Sequence, residues 1–413
     1  MAAPPVVADT RERGALLGQW NSAVASYYLI VGTVALLVAI GLVMVLSSSS
    51  VSSLSATDGA SPYAVFLSQA RFALIGLPLA WVASRLPVAW YKRFAWPLLL
   101  GTMGLLMLVP IVGREKYGNR NWIPLPGGQQ LQPSEFAKLA LALWLGVVLA
   151  RKRPLLHRWQ HVLVPAVLGA GAVIGLVLLG HDLGTSLILL MLVAGALFVS
   201  GVPLRFFAVG GVLTALVVAQ LVQGNGSRTR RISAFFGGEC DVQGTCYQTT
   251  RGLYGLASGG WTGIGLGESR EKWSYLPMAH NDFIFAIIGE ELGLLGTLLV
   301  LGLFGVLAFA VTRVVRRHPD PFVQVAAGAI GCWVLGQALV NIAVVIGLLP
   351  VIGVPLPLVS AGGSALVTTM VAMGVLVSFA RSEPGAAEAL AARPGVVRRS
   401  LAVIGASRRR TRG

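Results

Sequence analysis

Three carboxylates stand at the edge of an apolar segment of membrane length, in the stretch AHNDFIFAIIGEELGLLG at residues 279–296. Asp282 precedes the apolar run, and Glu290 and Glu291 lie in its first turns. Ionised side chains are costly in hydrocarbon, so carboxylates in this position are candidates for a functional role. Asp is also a favoured residue for capping the helix that follows. Of the two glutamates, we expect one to pair inside the protein and the other to hold the adjoining loop.

Further ionisable residues occur close to the ends of other apolar segments. Glu135 and Lys138 are three residues apart in LQPSEFAKLA, a spacing that brings them together on one helix face. They are therefore either a neutralising structural pair or a pair of substrate contacts. Asp182 lies in GHDLGT at the start of another apolar segment, and Arg71 lies about two turns inside one. At that depth we expect Arg71 to have a buried partner rather than to reach the membrane surface.

The longest hydrophilic stretch, residues 223–281, combines glycines with basic residues. Its run RGLYGLASGGWTGIGLGESREKWSYLP lacks the Lys-Ser/Thr ending of a nucleotide-binding P-loop. The stretch is either a flexible solvated loop or a set of pyrophosphate contacts, for which the candidates are Arg228, Arg231, Arg251 and Lys272. Cys240 and Cys246 in the same stretch form either a local disulfide or two free thiols.

The apolar segments that must position these residues dominate the chain. Its 413 residues are 55% hydrophobic and 12% charged, with a mean hydropathy of +0.76. A soluble domain does not carry this much apolar surface, so the composition predicts an all-α polytopic membrane protein. A spanning helix needs about 20 apolar residues. That length predicts ten spans: Ser26–Leu46, Tyr63–Ala83, Phe94–Ile111, Pro133–Ala150, Val162–Leu179, Leu183–Ser200, Phe206–Val222, Ile287–Val311, Phe322–Leu349 and Ala361–Phe379.

The distribution of basic residues places both termini in the cytoplasm. The net charge is +16, and most Lys and Arg residues then fall on short inner connections and in the tail, as the positive-inside rule requires. The basic surplus therefore sets topology and meets anionic membrane lipids, and nucleic-acid binding is not indicated. We predict a cytoplasmic segment at 1–25, a membrane domain at 26–379 with a large outer loop at 223–281, and a basic, disordered cytoplasmic tail at 380–413.

With this topology, the ionisable residues gather at the outer side of the bilayer, and the inner half contains almost no charge. Transporters usually hold their charged groups near the midplane, where both sides can reach them. A one-sided cluster instead favours chemistry on a lipid-linked substrate presented at the outer leaflet. Gln337 and Asn341, in the ninth span, are the main polar exceptions.

Four sequence blocks resemble the SEDS family, whose members shape, elongate and divide bacterial cells. The blocks are GNRNWIPLPGGQQLQPSEFAKLA (118–140), GHDLGTS (180–186), GGWTGIGLGESREKWSYLPMAHNDFIFAIIGEELG (259–293) and GLLPVIGVPLPLVSAGGSALV (347–367). The resemblance covers nearly the whole chain, in the family's order and topology. Within the family, KWSYLP and AHNDFIFAIIGEELG look like the cell-division branch, of an actinobacterial type, rather than the elongation branch.

The resemblance implies a peptidoglycan glycosyltransferase that polymerises lipid II into β-1,4 glycan strands at the outer face of the plasma membrane, at the division septum. It implies as partners the class B penicillin-binding transpeptidase of the septum and other membrane proteins of the division machinery. No cofactor is assigned, and a need for a divalent cation stays open. Two positions depart from the family pattern: His181 replaces a proline, which is expected to alter the local turn, and Ala361 replaces a tyrosine, whose hydroxyl is lost.

The resemblance also assigns roles to residues. Asp282 matches the family's catalytic aspartate, and as general base it would activate a sugar 4-hydroxyl for an inverting attack on an α-linked pyrophosphate donor. Glu290 and Glu291 rank as structural polar residues. The residues expected at the substrate are Arg71, Glu135, Lys138, Asp182, His280, Ser360, Gly362, Gly363 and Ser364.

Other functions compete with this one. A lipid II flippase needs a polar path across the bilayer, which the sparse inner charge disfavours. A non-catalytic scaffold that recruits the transpeptidase would leave Asp282 replaceable. An elongation enzyme of the same family is the remaining alternative.

Overall fold

The computed structural model describes Ser22 and residues 24–391, apart from 117–118, 125–129, 225, 239–240, 242–243, 245 and 274. Within that range, ten helices are long and apolar enough to cross a membrane, and three are shorter. The ten are α1 (Ala25–Ala56), α2 (Ala64–Arg85), α3 (Val88–Val112), α4 (Pro133–Lys152), α5 (Trp159–Leu179), α6 (Leu183–Ser200), α7 (Leu204–Gln223), α10 (Ile284–Arg317), α11 (Pro321–Val345) and α12 (Gly363–Arg381). The short helices are α8 (Gly226–Phe235), α9 (Tyr247–Gly259) and α13 (Ala386–Ala391), and the strands are β1 (Arg114–Lys116), β2 (Asn119–Pro124) and β3 (Gln130–Leu131).

The prediction of an all-α membrane protein with ten spans is confirmed, with corrections to helix ends. The first helix, α1, continues to Ala56 although its apolar run stops at Leu46, because the serines that follow keep the helical hydrogen bonds. The ninth span was predicted to reach Leu349, but α11 ends at Val345, and Gly347 just beyond takes φ +77°. Hydropathy marks the part of a helix that sits in hydrocarbon, and helical backbone need not start or stop there.

The predicted disordered tail at 380–413 is wrong at its start. Helix α12 continues to Arg381, Glu383 is buried, and α13 packs back against α12. The tail beyond Ala391 and the N-terminal residues 1–21 lie outside the described residues, so the predictions made for them stay predictions.

The bundle is built around α4, α11 and α12, whose apolar stretches are mostly buried, whereas no residue in the apolar stretch of α7 is fully buried. Glycines allow the central helices to approach closely. A Cβ at Gly146 of α4 would press on Phe322 and Ala326 of α11, and a Cβ at Gly374 of α12 would collide with the Ala80 backbone of α2. Small residues at such contacts are typical of helix packing in lipid, where apolar burial alone does not drive association.

An antiparallel sheet of β1, β2 and β3 covers the outer ends of the helices between α3 and α4. Arg120 attaches it: its N–H donates to the Gly180 carbonyl at the end of α5 (3.1 Å), and its guanidinium donates to the Pro110 carbonyl of α3 (2.9 Å). A Cβ at Gly180 would collide with the Asn121 side chain, so the close approach depends on glycine there.

Helix α10 is interrupted at Gly293, which takes φ +68° and ψ −164°. The segment 259–265 of the outer loop pairs with the backbone groups that the break frees. The four hydrogen bonds run from Ile264 N to Glu290 O (3.0 Å), Gly265 N to Glu291 O (3.1 Å), Leu294 N to Gly260 O (2.9 Å) and Leu295 N to Trp261 O (3.2 Å). The interpretation of residues 223–281 as a flexible solvated loop is therefore wrong for the described part, which contains α8, α9 and this segment.

Gly263→Ala should destabilise the protein more than the matched variant Gly267→Ala. Both glycines take positive φ, +82° and +85°, a conformation that costs a residue with a Cβ about 1–2 kcal/mol. Only at Gly263 would the Cβ also collide with the Glu291 carbonyl, while at Gly267 it meets open space. Melting temperatures of the purified variants in detergent measure the difference. Equal shifts would show that the segment is not packed into the break of α10.

Candidate active site

A cavity of about 870 Å³ opens at the outer end of the bundle. Its wall combines the sheet, the outer ends of α4 and α6, and the chain segments that precede α10 and α12. A pocket of this size with converging polar groups is the leading candidate for an active site in the described part of the chain. The polar side chains that line it include Gln130, Gln132, Glu135, Lys138, Asp182, Thr185, Arg231, Gln248, Asp282 and Gln337.

Asp282 lies in the cavity wall, two residues before α10. Burial raises the pKa of its carboxyl to about 6. The N-cap residue of α10 is Phe283 and no side chain caps the helix, so the alternative role of Asp282 as a helix cap is wrong. A carboxyl with a pKa near neutral that faces a cavity has the properties of a general base.

Three consecutive carbonyls that end at Asp282 are held by neighbouring elements. The bonds are Ala361 N to His280 O (2.9 Å), Ser360 Oγ to Asn281 O (2.7 Å) and Asn341 Nδ2 to Asp282 O (2.7 Å). Asn341 also donates to the Val354 carbonyl at 2.7 Å. The backbone under Asp282 is thus fixed to α11 and to the segment before α12. His280, a predicted substrate contact, takes part through its carbonyl and is not among the residues that line the cavity.

Glu135 and Lys138 form a buried ion pair, with Lys138 Nζ 2.7 Å from Glu135 Oε1. Lys138 also donates to Gln337 Oε1 at 3.2 Å, and its Nζ lies 5.0 Å from the ring centre of Trp333. Gln337 in turn donates to the Pro355 carbonyl at 2.9 Å. Both members of the pair line the cavity, and Glu135 Oε2 has no hydrogen-bond partner among the described residues. Glu135 and Lys138 can therefore neutralise each other and also contact a substrate in the cavity.

Asp182 faces the same cavity and caps α6. Its Oδ1 accepts from Thr185 N (2.9 Å), and its Oδ2 accepts from Thr185 Oγ1 (2.8 Å) and Gln132 Nε2 (3.3 Å). His181, just before it, takes φ +64°, which proline cannot adopt because its ring fixes φ near −65°. The backbone turn at His181 therefore differs from the turn that a proline at this position would form.

The segment before α12, which contains four of the residues expected at the substrate, is held to α2 by one side chain. Gln69 Nε2 donates to the Ser360 carbonyl (3.1 Å), and Gln69 Oε1 accepts from Gly362 N (3.1 Å). Gly362, Gly363 and Ser364 line the cavity, whereas Ser360 bonds to backbone groups behind the wall. Three of the four residues predicted here thus lie where a substrate could reach them.

Arg71 does not reach the cavity, and the expectation of a buried partner is wrong. Its side chain is exposed, while Gln69 on the same helix is buried and Phe72 lines the cavity. Successive residues of a helix point about 100° apart, so the face that presents Gln69 and Phe72 to the bundle turns Arg71 away. Hydropathy indicates the depth of a residue but not the face on which it lies.

One of the four predicted pyrophosphate contacts, Arg231 of α8, lines the cavity. Arg251 instead lies 3.6 Å from Glu271, with its guanidinium 4.9 Å from the ring centre of Tyr275. The side chain of Arg228 lies outside the described residues. Arg251 therefore organises the outer loop rather than the cavity.

Glu290 and Glu291 hold the outer loop to the bundle, and each is 1% exposed. The carboxylate of Glu290 accepts hydrogen bonds from Ser269 Oγ (2.5 Å) and from the backbone N–H of Arg270 (2.9 Å). Glu291 accepts a hydrogen bond from Ser47 Oγ of α1 (2.6 Å), and its carboxylate lies 3.8 Å from Lys272 Nζ. Lys272, a predicted pyrophosphate contact, therefore pairs with Glu291 and does not line the cavity.

Cys246, which precedes α9, is disulfide-bonded, and Cys332 of α11 is a free thiol. Cys240, the other member of the predicted pair, lies outside the described residues. A disulfide in this loop fits a location outside the cytoplasm, where oxidising conditions preserve it.

Several residues that build the site were given no role in it by the sequence analysis. Gln69 and Gln132 each bond to a different element, Trp122 lines the cavity, and Gln337 and Asn341 brace backbone carbonyls at its inner wall. The signal that could have found the amides is their position in helices of membrane length, where an amide needs a hydrogen-bond partner inside the protein.

These features define a polytopic membrane protein with a polar cavity at its outer end, in whose wall burial raises the pKa of the Asp282 carboxyl to about 6. Residues 27–384 match the family of FtsW, RodA and SpoVE, described as cell cycle proteins. The chain belongs to this family, which confirms the resemblance drawn from the four sequence blocks.

Named relatives are similar to the chain over most of its length. The probable peptidoglycan glycosyltransferase FtsW of Mycobacterium tuberculosis is 41% identical over 394 residues, which cover 95% of this chain and 74% of the relative. The probable peptidoglycan glycosyltransferase FtsW of Halorhodospira halophila is 40% identical over 377 residues, which cover 90% of this chain and 94% of the relative.

Two solved structures share the fold. A chain of a peptidoglycan synthase complex that coordinates polymerization and crosslinking has a TM-score of 0.70 and 29% identity, and the match covers 86% of this chain and 98% of that one. The rod shape determining protein RodA of Thermus thermophilus has a TM-score of 0.65 and 29% identity, and the match covers 86% and 97% of the two chains.

Lys138→Met should destabilise the protein more than the double variant Glu135→Gln/Lys138→Met. Removing one partner of a buried ion pair leaves an uncompensated charge, at a cost of about 3–5 kcal/mol. The double variant removes both charges at similar volume, so it should recover much of the loss. Melting temperatures of both single variants and the double variant complete a mutant cycle. Additive effects would contradict a direct coupling between the two side chains.

Asp282→Asn should stabilise the protein at neutral pH. The pKa of about 6 in the folded protein exceeds the ordinary value of 3.8, so the folded state binds this proton more tightly and stability falls as pH rises through that window. One pKa unit corresponds to about 1.4 kcal/mol and partial solvent access weakens the effect, so we expect a gain of about 1–3 kcal/mol at pH 7.5. Melting temperatures at pH 4.5 and 7.5 should show a difference that widens with pH. A constant difference would contradict burial as the cause of the raised pKa.

Proposed function

We propose that this chain is a peptidoglycan glycosyltransferase that polymerises lipid II into β-1,4 glycan strands at the outer face of the plasma membrane during septal wall synthesis. The observation that carries the proposal is the carboxyl of Asp282, buried in the wall of an outward-facing cavity, with a pKa of about 6. Membership of the FtsW, RodA and SpoVE family and the names of the relatives support the reaction class.

The reaction needs one base and no covalent sugar–enzyme intermediate. The 4-hydroxyl oxygen of the acceptor sugar attacks the anomeric carbon of the donor, and the α bond from that carbon to the pyrophosphate oxygen breaks. The hydroxyl proton passes to the Asp282 carboxylate, and the undecaprenyl pyrophosphate leaves with the bonding electrons. A single in-line displacement converts the α link into a β link. A base with a pKa near 6 is ionised at neutral pH and still accepts a proton readily.

Lys138 and Arg231 are the lysine and arginine side chains among the described residues that line the cavity. The departing pyrophosphate carries negative charge, which fixed cations stabilise as the bond breaks. Lys138 is held in place by Glu135 and Gln337, so its charge is oriented before the substrate arrives. Arg231 is exposed on α8 and has room to adjust to the phosphates.

A divalent cation would find few protein ligands here. Within the described ranges, no group of three or more His, Cys, Asp and Glu side chains is placed to hold an ion. The residues present do not form a metal site by themselves, and no step above runs through a metal.

The proposal includes a crosslinking partner. A similar chain occurs in a solved complex that coordinates polymerization and crosslinking. A class B penicillin-binding transpeptidase of the septum is therefore the proposed partner, together with other membrane proteins of the division machinery. The proposed location is the division septum of the bacterial plasma membrane, in keeping with the similarity to proteins named FtsW.

A lipid II flippase is the second candidate, and the cavity disfavours it. The lining residues lie at the outer ends of the helices and in the outer connections. Gln337 and Asn341, the polar exceptions of the ninth span, bond to backbone at that outer end and do not extend a path inward.

Asp282→Asn and Asp282→Ala should abolish polymerisation of purified lipid II by the full chain with its purified transpeptidase partner. Arg71→Ala is the matched control, since it removes a charge from an exposed face and should leave the rate within about twofold of wild type. Wild-type activity should fall about tenfold per pH unit below the pKa of about 6 of Asp282 and level off above it. Each variant must remain folded, with a melting transition no lower than that of wild type, and must keep its complex with the partner.

Polymerisation by both Asp282 variants at the wild-type rate would reject Asp282 as the base and favour a scaffold. Absence of glycan strands with the wild-type complex, combined with transbilayer movement of lipid II in vesicles, would favour the flippase.

A further inference from the structure

The segment 259–266 of the outer loop carries an apolar surface that the catalytic proposal does not use. Trp261, Ile264 and Leu266 are 74%, 39% and 57% exposed. Three large apolar side chains within six residues are unfavourable in water, so a cluster of this kind marks a contact with lipid or with protein.

Two helices give the depth of this segment relative to the membrane. A hydrocarbon core of about 30 Å corresponds to about 20 helical residues. Counted outward from Arg316 at the inner end of α10, that length reaches Gly296. The apolar run of α1 ends at Leu46, and the next residue, Ser47, donates to Glu291 of α10. Both helices therefore place the outer edge of the hydrocarbon core close to the break in α10.

The segment is attached to α10 at this level. The N–H of Leu295 donates to the Trp261 carbonyl at 3.2 Å. The side chains of Leu294, Leu295 and Leu298 on the outer surface of α10 are 41%, 59% and 52% exposed. These leucines face lipid in a membrane-spanning helix, so Trp261 stands beside a lipid-facing surface at the hydrocarbon edge.

The backbone of the segment meets the condition for such a location. Non-helical backbone persists at membrane depth only where its polar groups are paired within the protein. The N–H groups of Gly263, Ile264 and Gly265 donate to carbonyls of residues 259, 290 and 291, and the carbonyls of Gly260 and Trp261 accept from α10. A loop in water would not need this pairing.

We propose that residues 259–266 lie in the outer membrane interface, where Trp261, Ile264 and Leu266 contact the lipid between the headgroups and the acyl chains. Tryptophan is enriched at this depth because its ring is apolar and its N–H finds polar partners. Glu268 and Arg270, which follow, are exposed and lie among the headgroups or in water. The contact anchors the loop that leads to Asp282 at the height of a lipid-linked headgroup. The inference concerns the position of the loop and is independent of the role of Asp282.

Quenching of a site-specific fluorophore tests the position. Cysteine is introduced as Trp261→Cys, Leu266→Cys or Glu268→Cys in a Cys332→Ala background, because Cys332 is the free thiol among the described cysteines. The full chain is labelled with an environment-sensitive dye without reduction and placed in lipid nanodiscs. Doxyl groups at a shallow acyl position report contact with lipid, and iodide reports contact with water. Glu268 is the matched control, since it is exposed on the same loop.

We expect the shallow doxyl lipid to quench dye at residues 261 and 266. We expect iodide to quench dye at these two positions about threefold less than dye at residue 268. The use of two apolar positions separates this result from local damage by one substitution. Equal iodide quenching at all three positions would overturn the proposal. Shielding from iodide without doxyl quenching would also overturn it, because the surface would then be covered by protein. Shielding that requires the transpeptidase in the same disc would assign the surface to that partner instead of lipid.

Discussion

The backbone carbonyls of His280, Asn281 and Asp282 each accept a hydrogen bond from a different group, and the site depends on these three bonds. Their donors belong to α11 and to the segment before α12, which are among the most buried parts of the bundle. Because the bonds act on the backbone, they position the carboxylate of Asp282 without neutralising it. Its affinity for a proton is then set by burial. A base that was held through its own oxygens would lose the acceptor capacity that makes it useful.

Two ion pairs neutralise other charged groups at this end of the membrane. Lys138 pairs with Glu135 on one side of the bundle, and Glu291 lies beside Lys272 on the other. Each pair is completed by an uncharged donor or acceptor from another helix, Gln337 of α11 in the first case and Ser47 of α1 in the second. These additional hydrogen bonds offset part of the cost of burying each ion pair. Together the two pairs link four membrane helices and the outer loop into one structure around the cavity.

Hydropathy and helical spacing, which can be seen in the sequence, predicted the spans and the contacts within a single helix. Hydropathy predicted ten spans, and the spacing of Glu135 and Lys138 predicted their contact on one helix face. The face on which Arg71 lies could not be predicted, because polar residues Gln69 and Arg71 point to different sides of α2 and the rotation of the helix is set by its neighbours. The break at Gly293 was hidden for a similar reason: the segment whose hydrogen bonds replace the helical ones comes from residues about thirty positions earlier. Amides such as Gln69 escaped notice because their partners are backbone groups brought near only by folding.

Two aspartates face the cavity, and their surroundings suit them to different tasks. The oxygens of Asp182 are occupied by Thr185 and Gln132, in bonds that start a helix and join it to α4. Moving a proton onto this carboxylate would disrupt those bonds. Asp282 supports no helix, since α10 has no side-chain cap, so protonating it disturbs no capping contact. Burial without a compensating partner destabilises the folded protein at neutral pH, and a residue with only a structural role would gain nothing from it. The difference between the two carboxylates is therefore the strongest structural argument that Asp282, and not Asp182, receives the proton.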